Sequence, residues 1–141
     1  MSYKNEMKLE FLSLNENESF ARLAVASFCA NQNLTIEEIN DIKTAVSEGV
    51  TNAIVHGYGD KKGNVIVSVN IINNCIEIII EDKGVGIPDV NKAIQPFYTT
   101  KGDLERSGMG FTVMEGFMDS MEVFSNVGEG TRVILTKNIN K

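Results

Sequence analysis

The stretch Ile78-Ile79-Ile80-Glu81-Asp82-Lys83-Gly84-Val85-Gly86-Ile87-Pro88 constrains the fold more than any other part of the chain. Its β-branched run is too short and too uniform for a helix, and it stops at an acid and two glycines. It predicts a buried strand that carries one carboxylate, Asp82, to its end and then turns sharply. Gly84 and Gly86 lack a Cβ and can take φ > 0, so the backbone there can pass close to a flat or phosphorylated ligand. An ionised carboxylate only accepts hydrogen bonds, which suits an exocyclic amine such as adenine N6. An ordinary strand-end turn explains the same residues, so D-x-G-x-G alone decides nothing.

Around that stretch the chain alternates strands and helices. Met7, Leu9 and Phe11 alternate with Lys8 and Glu10 and predict an edge strand, the kind of element that pairs with a second copy. Phe20, Leu23, Ala24, Ser27 and Phe28 predict a helical stripe running to about Asn31. Arg22 falls off that stripe, either as a solvated helix charge or as a partner contact. Thr35-Ile36-Glu37-Glu38 is a capping box opening a long helix, with Ile39, Ile42, Val46, Val50, Ala53 and Ile54 inward and Gly57 as its stop. Glu48, Asn52 and His56 share one polar stripe of that helix, which is ordinarily just the wet face. Gly49 weakens a helix by about 1 kcal/mol relative to Ala and suggests that something packs closely there.

Val65, Val67, Val69 and Ile71 predict a strand, and Asn73-Asn74 a tight turn into the Cys75–Glu81 return strand. Asp89 is placed to cap a short helix ending near Gln95. Between Pro96 and Met109 periodicity vanishes, which predicts a loop acting as a lid. Ser107-Gly108-Met109-Gly110 then opens a helix whose N-terminal N–H groups could seat phosphate, with Lys101 and Arg106 near in sequence. A closing hairpin spans Met121–Asn126 and Thr131–Thr136.

Composition narrows the classes. The 141 residues, 43% hydrophobic and 23% charged, suffice for one domain that buries roughly two-thirds of its unfolded surface. A net charge of -6 argues against binding a phosphate backbone. Cys29, Cys75 and a single His make no conventional zinc set, and both thiols are expected in the core. No apolar run approaches a membrane span and the first residues do not read as a signal peptide, so a cytoplasmic location is expected.

Taken in order, Glu48-x-x-x-Asn52-Ala53, Asp82-x-Gly84-x-Gly86, Gly108-Met109-Gly110 and Gly128-x-Gly130-Thr131 resemble the GHKL ATPase/kinase family over residues 35–136. Three stretches, Glu16 to Arg22, Ser47 to Gly57 and Glu105 to Phe111, are similar to its sporulation anti-sigma kinases. The resemblance implies an α+β fold: a two-layer α/β sandwich whose mixed, mostly antiparallel sheet is covered on one face by helices. It implies one ATP-binding kinase domain over residues 1–141, with the strand and helix of residues 1–34 as the dimer or partner surface. The implied function is to bind and inhibit a sporulation sigma factor of the sigma-F type and to phosphorylate an anti-anti-sigma antagonist on serine with Mg-ATP. Glu48 would then be the catalytic base and Asn52 the Mg²⁺ ligand. Asp82 and Thr131 would hold the adenine, while Gly84, Gly86, Gly108, Met109 and Gly110 close over the nucleotide. Lys101, Arg106 and Ser107 would reach the phosphates, His56 would give support, and Arg22 would meet a partner. Gly49 departs from the family pattern, which has Ala. Two alternatives stay open: a nucleotide-regulated binding module without phosphotransfer, and a histidine-kinase-like ATPase domain. P-loop and eukaryotic-type kinases are excluded, since their motifs are absent.

Overall fold

In the computed structural model, which describes residues 4–95 and 110–139, the alternating runs become a five-stranded sheet. The strands are β1 (Lys4–Leu12), β2 (Asn64–Ile72), β3 (Cys75–Asp82), β4 (Ser120–Asn126) and β5 (Gly130–Asn138). Their spatial order is β1-β2-β3-β5-β4, and all four pairings are antiparallel. The β-branched run therefore lies mid-sheet, and the chain's first strand is an edge. Val65, Val67, Val69 and Ile71 of β2 line up with Ile76, Ile78 and Ile80 of β3 on the buried face. Cys75, Glu77, Ile79 and Glu81 point to the other face and are half-buried. Cys29 is the core thiol, pushed up to about 12 by burial, whereas Cys75 is half-buried at the start of β3.

Helices α1 (Glu16–Cys29), α2 (Ile36–Asn52), α3 (Val90–Ile94) and α4 (Gly110–Phe117) complete the second layer. Ala21, Val25, Ile42, Val46, Val50 and Met114 join the inward side chains of β2 and β3 in one core. The capping box forms in full: Glu38 N–H donates to Thr35 Oγ1 at 3.0 Å and Thr35 N–H to Glu38 Oε1 at 2.9 Å. Asp89 likewise caps α3 by accepting from Lys92 N–H at 3.1 Å.

The sheet and helix positions follow the sequence, but the buried face of α1 does not. Ala21, Val25, Ala26 and Cys29 face the core, while Phe20 and Leu23 are 57% and 53% exposed. Apolar residues almost encircle this helix, so periodicity alone does not choose a face. The small side chains of Ala21 and Ala26 let α1 settle against α2, and the bulky ones are left outside.

The end of the long helix also differs. Gly57 does not stop it; α2 runs directly into a π turn, Ala53–Tyr58, which closes at Gly59 with φ 59°. The space at Gly49 has an occupant. A Cβ there would collide with Ile80 Cδ1 and stand 3.3 Å from Met114 Sδ. Burying an Ile side chain is worth about 2 kcal/mol, more than the about 1 kcal/mol that glycine costs the helix. The exchange therefore favours the packed core.

Candidate functional site

Asp82 ends β3 at 8% exposure, on the same face as the core residues before it. Burial pushes its carboxyl up to about 6, against the opposing pull of the Gly84 and Thr131 backbone N–H groups. The Gly84 N–H donates to Asp82 Oδ1 at 2.9 Å. A buried carboxylate held this way has bonding capacity left over, since two oxygens can accept about four hydrogen bonds.

The loop after Asp82 is pinned to the π turn. Val85 N–H donates to Gly57 O at 2.9 Å, and a Cβ on Gly84 would overlap the Gly57 backbone. Gly57 in turn lies against Asp82: a Cβ there would stand 2.8 Å from both Cγ and Oδ1 of the carboxyl group. Gly86 takes φ 79°, with the backbone oxygen of Asn126 where its Cβ would be. The glycines predicted to clear a ligand thus first allow the loop to close on its own scaffold. Tyr58 completes the clasp, its hydroxyl accepting from Lys83 N–H at 2.8 Å and donating to Asn64 O at 2.6 Å.

Thr131 sits opposite Asp82 in the β3–β5 register and opposite Ser125 in the β4–β5 register. The Ser125 and Thr131 hydroxyls are 2.8 Å apart, and Ile87 N–H donates to Ser125 Oγ at 2.7 Å. Ser125, Thr131 and Asp82 therefore form a row across three strands that also ties down the Gly86–Ile87 turn. Ser125, Gly57 and Tyr58 were not legible as site residues. Ser125 alone had a signal, because the Val127–Gly130 turn fixes the register that pairs it with Thr131.

Glu48 and Asn52 lie one turn apart on α2, both half-buried. A Cβ on Gly110 would stand 3.1 Å from Asn52 Oδ1 and Nδ2 and 3.4 Å from Glu48 Oε1. The two polar side chains thus converge on the opening residue of α4, where a side chain would press on both. Asn52 precedes Gly57 by about 7 Å of helix rise, so one continuous helix aligns this pair with Asp82. His56 lies in the π turn between them. A carboxylate acceptor at one end, with an amide oxygen and a second carboxylate at the other, fits a magnesium nucleotide: Mg²⁺ takes oxygen ligands, and adenine offers an amine. Lys101, Arg106, Ser107, Gly108 and Met109 lie outside the described residues.

Arg22 stands apart from this group. It folds back along α1, with Nε 3.3 Å from Glu18 Oε2 and Nη2 donating to Ser19 Oγ at 3.3 Å. The Nε and Oε2 atoms are buried and close, yet poorly aligned for a hydrogen bond with each other. The side chain is 35% exposed and faces α2, so it is neither fully solvated nor part of the core.

The profile of the histidine kinase-like ATPase domain matches residues 11–137. Among curated proteins, the anti-sigma F factor of Clostridium novyi is 55% identical over 136 residues, covering 96% of this chain and 95% of its own. That of Clostridium kluyveri is 52% identical, with 98% and 97% covered, and that of Bacillus licheniformis 52%, with 98% and 95%. A crystal structure of the RsbU and RsbW domains of a Mycobacterium tuberculosis protein aligns with a TM-score of 0.66 at 18% identity. It covers 95% of this chain and 32% of that one, and the likeness concerns the fold. Among the described residues, no helix is long and apolar enough to cross a membrane.

Proposed function

Because the chain belongs to the histidine kinase-like ATPase family and, within it, to the anti-sigma F factors, we propose that it has two linked activities. It binds and inhibits a sporulation sigma factor of the sigma-F type, and it is a protein serine kinase that uses Mg-ATP to phosphorylate an anti-anti-sigma antagonist. The observation that carries the kinase reading is the convergence of Glu48 and Asn52 on Gly110. A carboxylate suited to act as a base and an amide oxygen suited to Mg²⁺ lie together at the start of α4, which supports this reading.

Bound ATP supplies the phosphoryl group. Asp82 accepts from the adenine amine, with Thr131 and Ser125 bracing the row. Asn52 would offer its amide oxygen to Mg²⁺, whose charge would offset that of the phosphates, and Gly84, Gly86 and Gly110 would keep the backbone close. Glu48 would take the proton of the attacking serine hydroxyl as the serine oxygen–phosphorus bond forms and the bond from the γ-phosphorus to the bridging oxygen of ADP breaks, ADP leaving with that oxygen. Lys101, Arg106, Ser107, Gly108 and Met109 are assigned to the phosphate end on sequence alone.

We read residues 1–141 as one kinase domain whose first 34 residues serve association. The exposed Phe20 and Leu23 on α1 and the free edge of β1 support a homodimer through this region. Arg22 belongs to a partner contact on the same helix. The cytoplasm is the proposed compartment, since a sigma factor and its antagonist act there.

The kinase test is transfer of label from γ-labelled ATP to a serine of the antagonist. Glu48→Ala should abolish transfer while nucleotide binding remains. Wild-type transfer by that variant would remove the base assignment. No transfer by the wild-type chain, with sigma capture intact, would leave a nucleotide-regulated binding module.

A further inference from the structure

The Ser125 hydroxyl, half-buried on β4, meets three polar neighbours among the described residues. Ile87 N is 2.7 Å away, Gly130 O 2.9 Å and Thr131 Oγ1 2.8 Å. Two of the three leave no choice of direction. A backbone N–H can only donate and a carbonyl oxygen can only accept, whereas a hydroxyl has one proton and two lone pairs. Ser125 therefore accepts from Ile87 and gives its single proton to Gly130 O. One lone pair remains on Ser125 Oγ, and Thr131 turns its own proton toward it. The reverse arrangement would give the Ser125 proton to Thr131. Ser125 Oγ and Gly130 O would then face each other at 2.9 Å with no hydrogen between them, an unfavourable pairing away from bulk water.

The consequence falls on Thr131. It stands opposite Asp82 in the β3–β5 pairing, and strand alternation puts its side chain on the same face as Val133 and Leu135, which are buried in the core. With its proton committed to Ser125, the Thr131 hydroxyl has only lone pairs left to offer. The ionised Asp82 carboxylate likewise only accepts. A ligand edge laid across the ends of β3 and β5 thus meets two side-chain acceptors and no side-chain donor from either residue.

We propose that Ser125 is a positioning residue that sets the base preference of the nucleotide site. By taking up the Thr131 proton it keeps this pair of residues acceptor-only, so a purine bearing an amine at C6 is admitted and one bearing a carbonyl oxygen there is turned away. The inference rests on the nucleotide-binding reading above, and adds to it a side chain that governs discrimination through Thr131. A 6-oxo purine sets its oxygen against acceptors and finds no proton. Once released from Ser125, the Thr131 hydroxyl is free to rotate and donate, and that oxygen gains a partner.

The test measures affinities for ADP and for inosine 5′-diphosphate, its 6-oxo counterpart, by isothermal calorimetry at pH 8, where Asp82 is ionised. The wild-type chain should prefer ADP by about a hundredfold or more. Ser125→Ala should shrink that preference about fivefold or more. Loss of the Ile87 N–H bond alone would weaken both nucleotides alike and leave the ratio where it was, so the ratio separates base selection from a merely structural role. Ser125→Thr, which keeps the hydroxyl, should keep the wild-type ratio. Ser125→Cys, whose thiol accepts only weakly, should shift the ratio in the direction of Ser125→Ala, and it replaces that variant if circular dichroism shows the alanine chain unfolded. An unchanged ratio in the folded variants overturns the proposal, while ADP binding by the wild type leaves the nucleotide reading standing. A wild-type chain that binds the two nucleotides equally also overturns it. A wild-type chain that binds neither removes the nucleotide reading and this inference together.

Discussion

Lowering the pH should titrate the adenine end of the site. Asp82 is raised from 3.8 to about 6 because it is buried, with the Gly84 and Thr131 amides pulling the other way. In the proposed site the adenine amine donates more strongly to the ionised carboxylate than to the neutral acid, which keeps only a weaker carbonyl acceptor, so protonation weakens binding. Apparent nucleotide affinity then falls by up to 1 + 10^(pKa − pH): at most about twofold at pH 6 and about tenfold at pH 5. An aspartate at its usual 3.8 would lose less than about a tenth at pH 5. The nucleotide's own phosphate also titrates in this range, so the measured quantity is a ratio. Affinities of the wild type and of Asp82→Asn for ADP are taken by isothermal calorimetry from pH 8 to pH 5. At pH 8 the variant should bind roughly ten- to a hundredfold more weakly, the worth of a charge-assisted hydrogen bond. By pH 5 that advantage should shrink by up to about tenfold. A ratio constant across the range would refute the account of Asp82 as an ionised acceptor with a raised pKa. The sign for the unbound chain follows from the same shift. The folded state holds the proton more tightly, so this group's contribution is fully present below pH 3.8 and is lost as pH rises through about 6. The loss is on the order of 3 kcal/mol, and a pH series of urea denaturations of nucleotide-free protein would measure it.

Gly57→Ala should push its methyl into the Asp82 carboxyl group, weakening ADP binding about tenfold or more and costing about 1–3 kcal/mol of stability; unchanged binding would show that Asp82 has room to move. Tyr58→Phe removes the hydroxyl shared by Lys83 N–H and Asn64 O, with a loss of about 1–2 kcal/mol in urea denaturation and faster exchange of the Lys83 amide. Gly49→Ala should gain less than the about 1 kcal/mol of helix propensity it offers, because its methyl competes with Ile80. Adding Ile80→Val should make the pair more favourable than the sum of the single changes, and a strictly additive cycle would dismiss the clash.

The features read correctly from sequence are those with a local cause. A β-branched run reports a buried strand wherever it falls, and Thr35 with Glu38 closes a capping box within one turn. Asp82, Gly84 and Gly86 are legible because acid and glycines follow the strand directly. What escaped depends on contacts between distant segments. The buried face of α1 is chosen by how closely α2 can approach, which the nearly apolar circumference of α1 does not disclose. Gly57 looked like a helix stop because glycine usually is one; its role instead comes from a carboxylate twenty-five residues further on. Gly49 showed that space was needed, but not that Ile80 would take it. Tyr58 gave no signal at all, since its partners Lys83 and Asn64 meet it only after β2 and β3 have paired.

The register of β5 has a consequence during synthesis. Asp82 leaves the ribosome early, but the amide that steadies it belongs to Thr131, and the backbone behind it to Gly130, both in the last strand. A nascent chain halted before that strand would have the side chains of α2 and β3, yet the Asp82 carboxyl would lack the Thr131 amide and the Gly130 backbone beside it. Under the proposed function, nucleotide binding would therefore wait on the pairing of β5 with β3.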